Sequence, residues 1–111
     1  GLYGTPTSRT LEKAIANIEG ADRAIVVSSG FAAITLVTLA LSQAGKRVLF
    51  PDNVYDTVRP FADKLLSRYG VRPVYYDPLM GGRIAELLDA DVSLVWLESP
   101  GSMTLEVQDM P

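Results

Sequence analysis

Cysteine and histidine are both missing from the 111 residues. Without cysteine there is no disulfide framework and no thiolate metal site, and without histidine no imidazole ligand. The Ser-His and Cys-His nucleophile pairs are excluded with them. Long runs of like charge are missing too, none exceeding two residues, so the chain carries no polyelectrolyte arm. The formal charge of -3 and a pI near 4.8 give no electrostatic footprint for nucleic acid or an anionic membrane. Nor is there a membrane-length apolar run. The longest candidate, residues 24–44, is broken by Ser28-Ser29-Gly30, leaving about 14 apolar residues where a bilayer needs roughly 20. The start at Gly1-Leu2-Tyr3-Gly4 does not read as a signal peptide. The lack of an initiating methionine and the end at Asp109-Met110-Pro111 point to a chain cut from something longer.

What is present is a 48% apolar composition, enough for a real core in one domain. A first helix is expected to start near Thr7-Ser8, with Leu11, Ala14, Ile15 and Ile18 on one face and Gly20 closing it. Residues 24–27 form a short continuous apolar run with β-branched residues that reads as a strand covered on both sides. Residues 31–43 are apolar on nearly every face and predict a buried helix stopped by Gly45. A second strand follows at residues 48–50, ended by Pro51. The spacing of Val58, Phe61, Ala62, Leu65, Leu66 and Tyr69 then predicts a helix with Pro60 in its first turn and Gly70 at its end. A third strand at 74–76, a short helix at 83–88 and a fourth strand at 93–97 complete the order. Helix and strand alternate without a hairpin signal, which implies an α/β fold: three αβα layers around a mostly parallel sheet with right-handed crossovers.

In such a sheet, ligands bind beyond the carboxyl ends of the strands. The loops there are Ser28-Ser29-Gly30, residues 52–55, residues 77–82 and residues 98–104. Ser28-Ser29-Gly30-Phe31 joins a strand to a helix, so a helix N-terminus with free N–H groups and a glycine that lets a ligand approach make an anion site suited to phosphate. The competing reading is a plain tight turn with Ser29 as an N-cap. A dinucleotide fingerprint fails because it needs three glycines and this turn has one, and no Gly-Lys-Ser/Thr follows for a nucleotide P-loop. Tyr55 stands on the ligand edge, where it could stack on a flat cofactor and move protons, or serve merely as a helix-entry tyrosine. Asp52 and Glu98 could form a carboxylate pair, or cap helices and pair with arginine.

Several segments in order resemble the Cys/Met-metabolism branch of the pyridoxal-phosphate enzymes, and its cystathionine β-lyase members in particular. They are Tyr3-Gly4-Thr5-Pro6-Thr7, Ser28-Ser29-Gly30-Phe31-Ala32-Ala33-Ile34, Pro51-Asp52-Asn53-Val54-Tyr55, Tyr76-Asp77-Pro78-Leu79 and Glu98-Ser99-Pro100-Gly101-Ser102-Met103-Thr104-Leu105-Glu106-Val107. The γ-type members typically carry E-[ST]-P-x-N-P where this chain has Glu98-Ser99-Pro100-Gly101-Ser102. The resemblance implies residues 1–111 as an incomplete N-terminal part of the large, fold type I (aspartate aminotransferase-like) domain, with pyridoxal 5'-phosphate as cofactor. Ser29, Gly30 and Phe31 would take the phosphate, the last two through backbone N–H groups. Tyr55 would stack on the ring and assist proton transfer, and Ser102 would stand near the cofactor's phenolic oxygen. The implied reaction is β-elimination of an amino-acid thioether, cystathionine, in methionine biosynthesis, with a γ-lyase, γ-synthase, cysteine desulfhydrase or non-catalytic truncated domain as alternatives. A cytoplasmic homo-oligomer, a tetramer built of dimers, is implied as well.

Two departures are visible. The family's Y-x-R ahead of the Gly-Thr pair would put its arginine at Leu2, so no subunit-crossing contact is assigned there. The lysine that holds the cofactor covalently is matched by none of Lys13, Lys46 and Lys64. The 111 residues alone are therefore expected to be inactive and, with apolar faces uncovered, to fold poorly.

Overall fold

The computed structural model describes residues 3–110; Leu2, the position of the missing arginine, lies outside them. The chain divides into two compact units, Gly1–Ala33 and Ile34–Pro111.

In the first unit, helix α1 spans Pro6–Glu19. It begins earlier than Thr7-Ser8 because Pro6, lacking an N–H that the first turn would not use, is preorganised for the N1 position. Thr5 is the cap: its Oγ1 accepts the Ser8 N–H at 3.2 Å, and its own N–H donates to Ser8 Oγ at 2.9 Å. Thr5→Ala is expected to cost about 1 kcal/mol and Thr5→Gly a few tenths, readable by thermal denaturation. Gly20 closes the helix in the left-handed region, φ 65°. The apolar stripe predicted for α1 is not buried. Leu11, Ala14, Ile15 and Ile18 are all exposed, and Ala16 is the buried residue.

The expected strand at residues 24–27 is absent. The segment makes no ladder, and Ile25 and Val26 stay exposed, with the Val26 N–H donating to Glu12 Oε1 at 3.1 Å. β-branched residues favour extended backbone, yet a strand needs a partner for its N–H and C=O groups, and none of the strands formed among the described residues supplies one. Helix α2, Gly30–Leu41, forms as predicted but is not buried. Leu36, Val37, Leu39 and Leu41 are exposed, and Thr38 is the one buried residue, its hydroxyl returned to the Ile34 carbonyl at 2.7 Å. All-round hydropathy states a demand for cover without saying that cover is present.

The second unit holds the sheet. Strands β1 (Arg47–Pro51), β2 (Arg72–Tyr76) and β3 (Val92–Val95) are parallel in the order β2-β1-β3. The central strand is accordingly the continuous apolar one, with Val48, Leu49 and Phe50 fully buried. Arg47 pairs with Arg72 on one side and Val92 on the other; a bulge then shifts Val48 to Leu94, and Ser93 Oγ donates to the Arg47 carbonyl at 3.1 Å. Val48 and Phe50 share a face and pack with Val58, Phe61, Ala62 and Leu66. Those residues lie on α3 (Val58–Pro60) and on the π-helical turn Phe61–Leu66 that continues it. The wide turn, closed by Ser67 N–H to the Ala62 carbonyl, was not predicted; it leaves Leu65 and Tyr69 exposed although 3.6-residue spacing put them on the buried face. The short helix expected at 83–88 is a 3-10 helix, Gly81–Leu87.

Candidate functional site

Parallel strands send their carboxyl ends to one edge, and three of the predicted loops meet there in the second unit. Residues 52–55 follow β1, residues 77–82 follow β2, and residues 98–106 come after β3. A cleft of about 550 Å³ is lined from all three, by Asp52 and Asn53, by Tyr75 to Pro78, and by Thr104 and Glu106.

Tyr55 is 43% exposed, and its backbone N–H donates to Glu98 Oε2 at 3.2 Å. Glu98 thus braces the turn that presents Tyr55. Asp52 is occupied elsewhere: its Oδ1 accepts from Arg59 at 2.6 Å, and its carbonyl accepts from the same guanidinium at 2.8 Å. Glu98 and Asp52 thus have separate partners. Asp52 takes the arginine-pairing role that the sequence left open, while the brace of Glu98 on the Tyr55 turn was not among the roles read from sequence. Arg59 also lies 3.9 Å over the ring of Tyr75, whose hydroxyl donates to Asp63 Oδ1 at 2.7 Å. Burial pushes the Tyr75 hydroxyl up, and the hydrogen bond to Asp63 and its charge push further, so this tyrosine stays protonated and fastens the π-helical turn to the sheet. Burial raises Tyr76 also; its hydroxyl donates to the Trp96 carbonyl at 2.8 Å.

Ser102 reaches the Tyr55 turn through backbone, its N–H donating to the Asn53 carbonyl at 3.1 Å. Neither Tyr55 nor Ser102 lines the cleft; Asn53, between them, does. The Asn53 amide Nδ2 donates to Thr104 Oγ1 at 3.0 Å and to Glu106 Oε2 at 2.8 Å, and Thr104 Oγ1 donates to Glu106 Oε2 at 2.9 Å. Sequence reasoning had Asn53 only as part of a motif. The available signal was the alternation Ser102-x-Thr104-x-Glu106, which sets polar groups two residues apart.

In the first unit, Gly30 is the first residue of α2 and Ser28, Ser29 and Gly30 are exposed. Ser29 is the N-cap, its Oγ accepting the Ala32 N–H at 3.1 Å and its carbonyl the Ala33 N–H at 3.1 Å. Cap and anion site are compatible, since the Ser29 hydroxyl caps the third amide of the helix and anions are favoured at its first turn. A Cβ at Gly30 would meet nothing within 4 Å, so the approach to its backbone is open, as a phosphate would require. The helix end at Gly30 has the chemistry to meet a phosphate group, and in the second unit Tyr55 presents a partly exposed aromatic ring.

Lys46 is a poor partner for such a group. It opens the amino end of β1, opposite the ligand edge, with Nζ on the Ala90 carbonyl and 3.7 Å from Asp91 Oδ1. Arg47 anchors the same end, bonded to Asp89 Oδ2 at 2.8 Å; that hydrogen bond holds the Asp89 carboxyl below its ordinary value. No helix among the described residues is long and apolar enough to cross a membrane, and no group of three or more carboxylates among them could hold a metal ion.

The family model described as Cys/Met metabolism PLP-dependent enzyme matches residues 2–111. The chain is 37% identical over 111 residues to the cystathionine β-lyase MetC of Escherichia coli, covering all of this chain and 28% of that protein. It is 38% identical over 107 residues to the L-alanine/L-glutamate racemase of Wolbachia pipientis wMel, covering 96% of this chain and 26% of that one. Among solved structures, the O-acetylhomoserine sulfhydrylase of Wolinella succinogenes superimposes with a TM-score of 0.85 at 28% identity, over 94% of this chain and 30% of that chain. The curated relatives are much longer, and the chain spans between 26% and 33% of the length of the first four. The architecture is that of a partial fold type I α/β domain. The chain belongs to the Cys/Met metabolism family of PLP-dependent enzymes.

Proposed function

We propose that this chain is the incomplete N-terminal part of the large cofactor domain of a carbon–sulfur lyase that eliminates the β-substituent of cystathionine, giving homocysteine, pyruvate and ammonia. The observation that carries the reading is the segment Gly101 to Glu106. It has the β-type pattern in place of the γ-type Pro-x-Asn-Pro, and its Ser102 is bonded to the loop that presents Tyr55.

Bound pyridoxal phosphate would supply the electron sink for charge developing at the substrate's α-carbon. The protein's share is placement. The amides of Gly30 and Phe31 at the α2 N-terminus would take the phosphate, favoured by the positive end of the helix dipole, while Ser29 holds the turn in shape. Tyr55 would stack on the pyridine and its hydroxyl would handle a proton, and Ser102 would serve the phenolic oxygen. Glu98 keeps the Tyr55 turn from drifting. The covalent lysine belongs to sequence outside these 111 residues. A cytoplasmic homo-oligomer is part of the same proposal.

One relative favours a second reading. A racemase at 38% identity shows that similar sequence is compatible with chemistry at the α-carbon that stops at proton transfer. The two separate by product. Full-length protein loaded with pyridoxal phosphate and given cystathionine should release pyruvate and homocysteine. Release of 2-oxobutyrate and cysteine instead, or D-alanine from L-alanine with no pyruvate, would overturn the lyase reading. In the same protein, Tyr55→Leu keeps apolar bulk and loses the aromatic face, so cofactor affinity should weaken about tenfold in equilibrium dialysis.

A further inference from the structure

Gly101 is buried against the side chain of Asn53. A Cβ built on Gly101 would fall 1.9 Å from Asn53 Nδ2 and 2.4 Å from Cγ, far inside contact distance. Gly101 is not among the glycines with positive φ, so its backbone accepts any residue and the need for glycine is steric alone. The amide cannot swing aside cheaply, because Nδ2 is bonded to both Thr104 and Glu106. Its orientation is fixed as well: the flipped amide would aim oxygen at the Glu106 carboxylate. Oδ1 is left buried without a hydrogen-bond partner, a cost that a side chain free to turn would escape. The loop so clasped is itself under tension, since Met103 and Leu105 sit in the left-handed region at φ 64° and 57° with their side chains 89% and 70% exposed. Those two side chains do not hold the loop in that shape; backbone bonds from the Gly101 N–H to the Glu106 carbonyl at 2.8 Å and from the Leu105 N–H to the Gly101 carbonyl at 3.1 Å close it, and Asn53, through Thr104 and Glu106, ties it down.

We propose that Asn53 is a positioning residue that clamps the 101–106 loop, and with it Ser102, against the Tyr55 turn, and that Asn53, Gly101, Thr104 and Glu106 form one interlocked unit. The β-type pattern Gly-Ser-x-Thr-x-Glu is then read physically. Glycine makes room for the amide, threonine and glutamate receive it, and Ser102 is carried at the position they define. The role in catalysis rests on the lyase reading above; the interlock does not.

The test is a cycle in the full-length protein with Asn53→Ala, Gly101→Ala and both. Gly101→Ala alone should lower Tm by about 5 °C. Adding Asn53→Ala removes the atoms the new Cβ strikes, so the double variant should be no less stable than Asn53→Ala alone, a strongly non-additive result. Strictly additive losses would overturn the interlock. Asn53→Ala, which creates no clash, should speed proteolytic cutting between Met103 and Leu105 about tenfold by freeing the strained loop, and an unchanged rate would also overturn it. For positioning, cystathionine turnover by the loaded Asn53→Ala protein should show kcat down about tenfold with KM changed far less, since a displaced Ser102 misplaces the reaction more than it weakens binding. Unchanged kcat beside faster proteolysis would overturn the positioning role. If wild type itself releases no pyruvate, the lyase reading fails, while the stability and proteolysis arms still decide the interlock.

Discussion

Phe50→Ala is expected to destabilise the protein by about 3–5 kcal/mol, a large share of a domain's whole margin of about 5–15 kcal/mol. Phe50 is fully buried in the central strand, paired with Tyr75 on β2, and its ring lies 6.1 Å from the Tyr75 ring. Val48, Val58, Phe61, Ala62 and Leu66 belong to the same cluster. Truncation would leave a cavity between strand and π-helical turn that a sheet paired on both sides of β1 cannot collapse to fill. Urea denaturation of the full-length protein reads the effect, with Leu79→Ala, at a position 59% exposed, as a control that should change stability by less than about 0.5 kcal/mol. Equal losses for the two would mean that the Phe50 cluster is not the core.

Gly30→Asp is expected to separate folding from cofactor binding. At the first residue of α2 a carboxylate is favourable to the helix dipole by about 0.3–1 kcal/mol, and the space around a Cβ there is open. Folding stability should hold or rise slightly. A phosphate bound at the same helix end would instead meet a like charge; at about 4 Å and an effective dielectric near 20 a single pair of charges is worth about 4 kcal/mol. Cofactor affinity should therefore fall about a thousandfold. Gly30→Ala, which adds bulk without charge, should lose far less.

Much of this was legible in the sequence because it depends on local chemistry. Helices α1 and α2 announce themselves by apolar spacing, Gly20 and apolar density, and the buried central strand by Val48-Leu49-Phe50, whereas the start of α1 at Pro6 was not read. The convergence of the loops after β1, β2 and β3 follows from parallel topology, which alternation alone implies. What failed needed a partner to be known. Residues 24–27 have strand composition but no ladder, and α2 has buried composition but exposed leucines, because propensity records a preference and only a neighbouring surface satisfies it. A chain spanning about a third or less of its relatives' length, as this one does, shows such unmet demand wherever its own residues are too few to provide cover. The π-helical turn was hidden for a different reason: one residue of extra winding at Phe61–Leu66 changes which side chains face the sheet, and periodicity assumes it absent. The clasp of Asn53 over Gly101 was hidden because its members lie 48 to 53 residues apart. Thr104 and Glu106 looked like part of a signature, and only the fold shows that their shared partner is a side chain after β1.

We propose that the turn at Ser28-Ser29-Gly30-Phe31 binds the cofactor's phosphate through backbone and helix dipole. The most direct test is equilibrium dialysis of pyridoxal phosphate against full-length wild type and Gly30→Asp, each checked for folding by thermal denaturation. The expected result is an affinity loss of about a thousandfold in a variant that melts at or above the wild-type temperature. A Gly30→Asp protein that folds equally well and binds the cofactor with wild-type affinity would contradict the claim.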